Sequence, residues 1–388
     1  MSPKSRLFIA MVATGLAAVA ALPTAASAKS HTVKVMTRNL YLGADLTQGV
    51  QATSLQQLVD VAGGILSQVD QNKFPTRAKG LAAEIHKTRP DLVGLQEVSE
   101  YRTEPCTQSP LPPKATTVRY DYLKSLLSEL NRGKKNKRLY RAVKVEPEFD
   151  FEVYVNSDGN QNTSAPGCPL GSELNVRLTM RDAILARKGV KTSHAKAGHF
   201  ATLLQVRPGG VPTNVTRGWT RVDAKVGKSK TFRFVNTHLE AFDNQATNHT
   251  SKNTDVGNGQ IRQAQAQELV GAGGPAAKGK LPVILVGDLN SDVATVQKPG
   301  DQLAYQAVLG AGFAERSTST PLGCCLNANV LTTNGGGKPS DFNHKVDHVL
   351  TNSPSKIKLV HSVVTGLTPV NGFWDSDHAG LFSQLKAP

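Results

Sequence analysis

The stretch Pro282-Val283-Ile284-Leu285-Val286-Gly287-Asp288-Leu289-Asn290 decides the fold of this 388-residue chain. Four consecutive branched apolar residues read as a strand buried on both faces. Gly287 permits a close backbone approach at the strand's end, and Asp288 and Asn290, two positions apart in extended chain, can project the same way. A buried strand that delivers polar side chains at its end puts chemistry on a sheet edge. On these residues alone, an Asp-x-Asn turn is the competing explanation.

Outward from this stretch, five more short motifs repeat the pattern: Thr37-Arg38-Asn39-Leu40, Leu95-Gln96-Glu97, Asn236-Thr237-His238-Leu239, Lys345-Val346-Asp347-His348 and Ser376-Asp377-His378. Each sets polar groups at or just beyond an apolar run. The runs 32–37, 91–96, 139–145, 183–187, 200–206, 232–237, 282–287, 346–351 and 359–364 are expected strands. Residues 76–88, 121–131 and 260–271 are expected helices, the first with Ala78, Leu81, Ala82 and Ile85 on one face. Segments 219–226 and 231–238 flank Gly227-Lys228-Ser229-Lys230 as a hairpin. Hairpins mixed with strand–helix–strand units imply mixed sheets, and there are more strands than one sheet comfortably holds. The expected fold class is α/β (α+β): two mixed β-sheets packed face to face with helices on the outer faces, a four-layer sandwich. Polar stretches at 102–119, 155–175, 243–259 and 318–341 are expected surface loops that shape substrate access.

Strand ends on one edge of a sheet are where open α/β folds gather ligands. The residue types gathered there narrow the chemistry. Asn, Glu and Asp offer hard oxygen donors suited to a divalent cation, Mg²⁺ first, with Mn²⁺ or Ca²⁺ as alternatives. Two His beside carboxylates supply proton transfer near neutral pH. Hydrolysis of a phosphate ester fits that inventory. There is no Gly-x-Ser-x-Gly elbow, and Val222 stands where Gly227-Lys228-Ser229 would need the earlier glycine of a phosphate-binding loop.

In order and residue type, the six motifs resemble those of the endonuclease/exonuclease/phosphatase superfamily, which includes deoxyribonuclease I, abasic-site endonucleases, bacterial sphingomyelinases and inositol polyphosphate phosphatases. The resemblance spans essentially all of the chain after residue 28. It implies that Glu97 binds the cation, with Asn39 supporting the metal or a phosphate oxygen, and that Asp347 orients the ring of His378. On this reading Asp377 is a metal-side carboxylate, Asp288 orients or deprotonates the attacking water, and Asn290 holds the phosphate. His378 is the general base, and His238 stabilises charge on the non-bridging oxygens or the leaving group. Two departures matter. Tyr41 stands where some relatives carry a metal-side Asp, with Asp45 further on, which argues against a second cation. In Met180-Arg181-Asp182-Ala183-Ile184-Leu185 the resemblance expects an Asn-Ala-Ile-Leu-like strand; Asp182 takes the amide's place, and Arg181 and Asp182 become candidates for substrate binding, with a satisfied turn as the alternative for Asp182.

Residues 1–28 carry Lys4 and Arg6, an apolar run from Leu7 to Leu22 and an Ala26-Ser27-Ala28 close, the pattern of a secretory signal peptide. The run is short of the ~20 residues a spanning helix needs, so export rather than membrane insertion is expected. Residues 29–388 are expected to form one catalytic domain, as a monomer. Without the leader the formal charge falls from +15 to +13. Such an excess favours polyanions, with nucleic acid the first-choice substrate. A sphingomyelinase-like phospholipase or a phosphomonoesterase shares the chemistry. A non-catalytic binding protein on the same scaffold would show a broken site, whereas every principal position here holds a competent residue. The basic cluster Arg132, Lys134, Lys135, Lys137 and Arg138 lacks interleaved aromatics and reads as a solvated turn. Of the four cysteines, Cys324 and Cys325 are neighbours, whose Cα atoms lie ~3.8 Å apart across a trans peptide, below the disulfide range. Cross-pairing of Cys106 and Cys168 with the 324–325 loop is therefore expected. No Cys-x-x-Cys or His-Glu-x-x-His pattern suggests zinc.

Overall fold

In the computed structural model, which describes residues 31–106, 115–133, 139–158, 168, 171–242, 259–297, 299–327, 331 and 336–387, Val283–Asp288 is a strand buried along its whole length. The chain runs β1 (His31–Asn39), α1 (Thr47–Gln51), α2 (Leu55–Gln71), α3 (Phe74–Thr88), β2 (Leu92–Gln96), β3 (Glu100–Pro105) and β4 (Thr117–Asp121). It continues through α4 (Tyr122–Leu130), β5 (Tyr140–Val155), β6 (Leu174–Arg187), β7 (Lys191–His199), β8 (Leu204–Val206), β9 (Thr213–Val215), β10 (Gly218–Lys225) and β11 (Phe232–His238). Then follow α5 (Gln260–Val270), β12 (Val283–Asp288), α6 (Leu303–Gly310), β13 (Ala314–Glu315), β14 (Asp347–Thr351), β15 (Lys358–Thr365) and β16 (Gly380–Ala387).

Two mixed sheets result. One has the order β15-β16-β1-β2-β6-β3-β4, with β5 also paired to the long β6; the other has the order β13-β14-β12-β11-β10-β7. Their facing sides share a core in which Val33, Val35, Leu92, Ile184 and Leu385 of the first sheet meet Val222, Phe234, Ile284, Val286 and Val349 of the second. The first sheet's other face packs on Leu66, Leu81, Ile85 and Leu126 of α2, α3 and α4. The second's packs on Ala266, Leu269, Ala304 and Val308 of α5 and α6. This is the expected four-layer arrangement. Each fully buried Val, Leu, Ile or Phe adds about 1.5–3 kcal/mol, so the strands that read as apolar runs are held from both faces.

Two glycines set how closely strands and sheets approach. A Cβ on Gly287, where φ is +151°, would lie 2.1 Å from the Thr237 carbonyl oxygen of the neighbouring strand. A Cβ on Gly94 would lie 2.4 Å from Asn236 Oδ1 and 2.5 Å from Val286 Cγ2, across the gap between the sheets. There Gln96 Nε2 donates to Asn236 Oδ1 and Asn236 Nδ2 to the Leu95 carbonyl, so two motif amides join the sheets.

Several expectations need correction. The 102–119 segment is not simply loop, because β3 and β4 pair antiparallel at the edge of the first sheet. Of residues 200–206 only Leu204–Val206 is strand; the backbone N–H groups of Ala201 and Thr202 donate to the Glu268 carboxylate instead of to a ladder. The edge strand β7 just before them is almost entirely polar and exposed, and carries no apolar signal. The strand β16, flanked by β15 and β1, lies outside every expected run. The segment 155–175 is strand at both ends, since β5 runs to Val155 and β6 starts at Leu174.

The disulfides also differ from expectation. Cys106 and Cys168 pair with each other, Cα atoms 5.9 Å apart, against Val59 and Tyr154. Cys324 and Cys325 pair as neighbours; the peptide between them is cis, so their Cα atoms lie 3.0 Å apart and the geometry assumed for a trans bond does not apply. The leader 1–28 and Lys134, Lys135, Lys137 and Arg138 lie outside the described residues, as does most of 243–259.

Candidate active site

Strand alternation builds the site. On β11, Phe232 and Phe234 face the other sheet, and period two carries the same face to Asn236 and His238. On β12, Ile284 and Val286 carry it to Asp288; on β1, Val33 and Val35 carry it to Asn39; on β14, Val349 shares it with Asp347. The register completes the row: His238 stands opposite Asp288 on the parallel neighbour, and Asp288 opposite Asp347 on the antiparallel one. Asp377 and His378 precede β16, which lies antiparallel to β1, so they arrive at the same rim. Tyr41, Glu97 and Asn290 adopt positive φ there, a conformation that costs non-glycine residues energy and gathers at functional sites.

The polar groups converge. His378 Nδ1 lies 2.7 Å from Asp347 Oδ2. His378 Nε2 and His238 Nε2 each lie 3.6 Å from the same oxygen, Asp288 Oδ2. Asn39 Nδ2 donates to Asp288 Oδ2 at 3.1 Å and to Glu97 Oε1 at 3.2 Å, while its Oδ1 accepts from the Tyr41 N–H. In this arrangement Asn39 ties two carboxylates together and its carbonyl oxygen is already engaged. Asp377 accepts from Ser376 Oγ, and Arg38 donates to the His378 carbonyl and to Glu84.

Burial and charge tune these groups. Burial lowers the affinity of His378 for a proton, but Asp347, Asp377 and Asp288 outweigh it and hold the ring well above the ordinary histidine value. Burial, then Arg217 and His378, push His238 well below it. Arg217 also decides the tautomer. Its Nη1 lies 3.2 Å from His238 Nδ1, and since guanidinium only donates, Nδ1 is the acceptor and Nε2 carries the proton toward the Asp288 side. Burial, with Asp347 adding, pushes Asp288 up to about 7; burial, with Glu97 adding, pushes Asp377 up to about 6.

Not every candidate reaches the rim in the expected way. Arg181 does not: it lies on the opposite face of β6 from Asp182, and its guanidinium is spent on Asp121 at 2.7 Å, Glu100 at 3.3 Å and the Val98 carbonyl. Adjacent residues on a strand cannot both line one site. Asp182 faces the sheet interface, fully buried behind His238 and near Glu148. Asn290 donates its side-chain amide to the Leu239 carbonyl and its N–H to Asp288 Oδ1, so it braces the rim. Arg217, paired with Glu240 at 3.2 Å, carries no sequence signal, because it comes before β10 and outside every motif.

The donor set suits a hard divalent cation. Ligand atoms of Asp288, Asp347 and His378 all lie within 4.8 Å of one another, and Glu97 and Asp377 add carboxylates beside them. The buried Asp347 Oδ1 has no hydrogen-bond partner, and the carboxyls pushed toward neutrality by burial are groups that a bound cation would return to their charged form.

Comparison with curated proteins gives no match. Solved structures with similar folds include humanized D. rerio TDP2 (16% identity, 91% of this chain and 98% of that chain, TM-score 0.48). Others are an endonuclease/exonuclease/phosphatase from Beutenbergia cavernae DSM 12333 (16% identity, 92% and 72% covered, TM-score 0.49) and one from Bacteroides vulgatus (15% identity, 92% and 100% covered, TM-score 0.47). The model of the Endonuclease/Exonuclease/phosphatase family matches residues 60–378, a span that takes in the rim except Asn39 and Tyr41, and the chain belongs to that family.

Proposed function

We propose that this protein is a secreted, divalent-cation-dependent phosphodiester hydrolase in which residues 29–388 form the catalytic unit. The observation that carries the reading is the meeting of His378 and His238 on one oxygen of Asp288, with Asp347 holding the far side of the His378 ring at 2.7 Å. That arrangement serves in-line attack of water on phosphorus. Asp288 orients the water, the unprotonated His378 accepts its proton, and Asp347 fixes the His378 tautomer and stabilises the imidazolium that forms. His238, kept neutral with its proton on Nε2 by Arg217, donates to a non-bridging phosphoryl oxygen. Glu97 and Asp377, with Asp288, would hold the cation, whose chemistry when bound is to neutralise charge developing on the phosphoryl group. Asn39 positions Glu97 and Asp288 as donor to both.

The formal charge of +13 after the leader places nucleic acid first among polyanionic substrates. A second reading, a phospholipid phosphodiester, is favoured by the state of the arginines that touch the site. Arg38, Arg77, Arg217 and Arg262 are all engaged by carbonyls and carboxylates within the protein. The test is a parallel assay of the purified mature protein against plasmid DNA, RNA, sphingomyelin and inositol phosphates, with Mg²⁺ and with chelator. Cleavage of at least one substrate that chelator abolishes is expected; no cleavage of any would return the chain to a binding role. N-terminal sequencing of protein recovered from the culture medium checks export, with Lys29 expected as the first residue.

A further inference from the structure

One side of the rim opens into an apolar cleft of about 460 Å³, within the range of roughly 300–1,000 Å³ usual for small-molecule sites. Glu97 and Asp377 form part of its wall, so the cleft is continuous with the candidate cation site, and Arg217 stands at the same wall. The rest is largely aliphatic and aromatic. Leu46 and Ile65 come from α1's flank and α2, Phe151 and Leu178 from the β5–β6 hairpin, and Val215 and Phe242 from the opposite side. Around Leu58 and Pro208, which also line it, two of the large apolar side chains left exposed among the described residues stand in the open: Leu55, beside Gly209, and Val211.

Resting on the reading of the site as a phosphodiester hydrolase, the geometry points to a substrate class: a phospholipid whose phosphate sits at the rim and whose alkyl chain lies in this cleft. A wall of hydrocarbon rewards a hydrocarbon occupant through removal of apolar area from water. A nucleobase there would bury donors and acceptors with few partners, and each polar group left unpaired would weaken its binding; the arginines that touch the site are already spent. Leu55 and Val211, exposed beside the lining residues Leu58 and Pro208, add apolar surface next to the cleft of the kind that meets a lipid surface.

Calorimetric titration of the mature protein with monomeric choline alkyl phosphates, in chelator so that no turnover occurs, tests this. Decyl phosphocholine should bind at least tenfold more tightly than the butyl compound. Six fully buried methylenes at about fourfold each would give far more, so tenfold is a floor. Ile65→Gln and Phe151→Gln, both at partly exposed positions, should each shrink the decyl-to-butyl ratio at least fivefold, and two variants guard against one that fails to fold. Equal affinity for the two chain lengths would overturn the assignment, as would a single-stranded oligonucleotide that displaces the decyl compound. Hydrolysis of bis(4-nitrophenyl) phosphate with Mg²⁺ reports separately on the underlying reading. Turnover without chain-length preference removes the lipid and keeps the hydrolase, whereas chain-length preference without turnover keeps the cleft and removes the hydrolase.

Discussion

His378 lies between an orienting carboxylate on Nδ1 and a shared carboxylate oxygen beyond Nε2, so replacing it separates chemistry from folding. His378→Ala is expected to lower kcat by about 10³-fold, within the roughly 10²–10⁴-fold range for a general base, with an unchanged circular-dichroism melt; near-normal turnover would end the role. Asp347→Asn makes a second, signed prediction. Because the carboxylates raise His378 against the opposing effect of burial, the ring is protonated, and idle as a base, up to a higher pH than an ordinary histidine. Activity should therefore climb with pH, and removing the Asp347 charge should shift that climb to lower pH while reducing its plateau. A pH–rate profile of both forms decides it. At this scale the sequence was informative where a polar residue ended a strongly apolar strand, as for His238 and Asp288. It was silent on Arg217, whose role exists only through the pairing of β10 with β11. It misled at Arg181, whose neighbour Asp182 belongs to the other face.

Between elements, the half-buried junction of β13 with β14 offers the clearest dependence of stability on acidity. Glu315 accepts from His348 Nδ1 at 2.7 Å and from Ser317, and Lys345 Nζ lies 3.5 Å away. Burial works against its charge, but His348, Lys345 and Ser317 outweigh that and hold the carboxyl at about 2, below its ordinary 4.5. A lowered folded value means the stabilisation is complete above pH 4.5 and fades as pH falls toward 2. The difference corresponds to about 3 kcal/mol. Glu315→Gln should be destabilised by about that amount at pH 7 and lose much of the wild type's decline in stability between pH 4.5 and 2, as followed by urea unfolding; parallel curves would refute it. His348 thus belongs to a structural pair, although it sits in a motif beside a candidate catalytic residue. The same logic explains which elements were legible. The helix α3 shows a clean apolar face, whereas α2 carries Gly63-Gly64 in its middle, which lowers helix propensity; a Cβ on Gly63 would meet the Asn156 carbonyl oxygen at 1.9 Å, so packing against the end of β5 requires the glycine. The strand β16 hides because Ser383, Gln384 and Lys386 interrupt its apolar residues.

Across the whole molecule, the gap between the two sheets sets where the rim's two halves meet, and Gly94 helps set the gap. Gly94→Ala drives a methyl into Asn236 and Val286, a form of overpacking that costs typically 1–3 kcal/mol. A lowered denaturant midpoint is expected, together with reduced activity, since Asn39 and Glu97 would move relative to Asp288 and His238; an unchanged midpoint would show that the sheets tolerate the intrusion. The two-sheet architecture was readable from strand number and the mixture of connections, but not the cleft beside the rim, which depends on how α1, α2 and the β5–β6 hairpin curve around a space. The topology also bears on biogenesis. The last strand, β16, lies between β15 and β1, and His378 enters just ahead of it. A chain still lacking this segment has an incomplete first sheet and no His378, so under the proposed function it could not hydrolyse a phosphodiester until its final strand is in place.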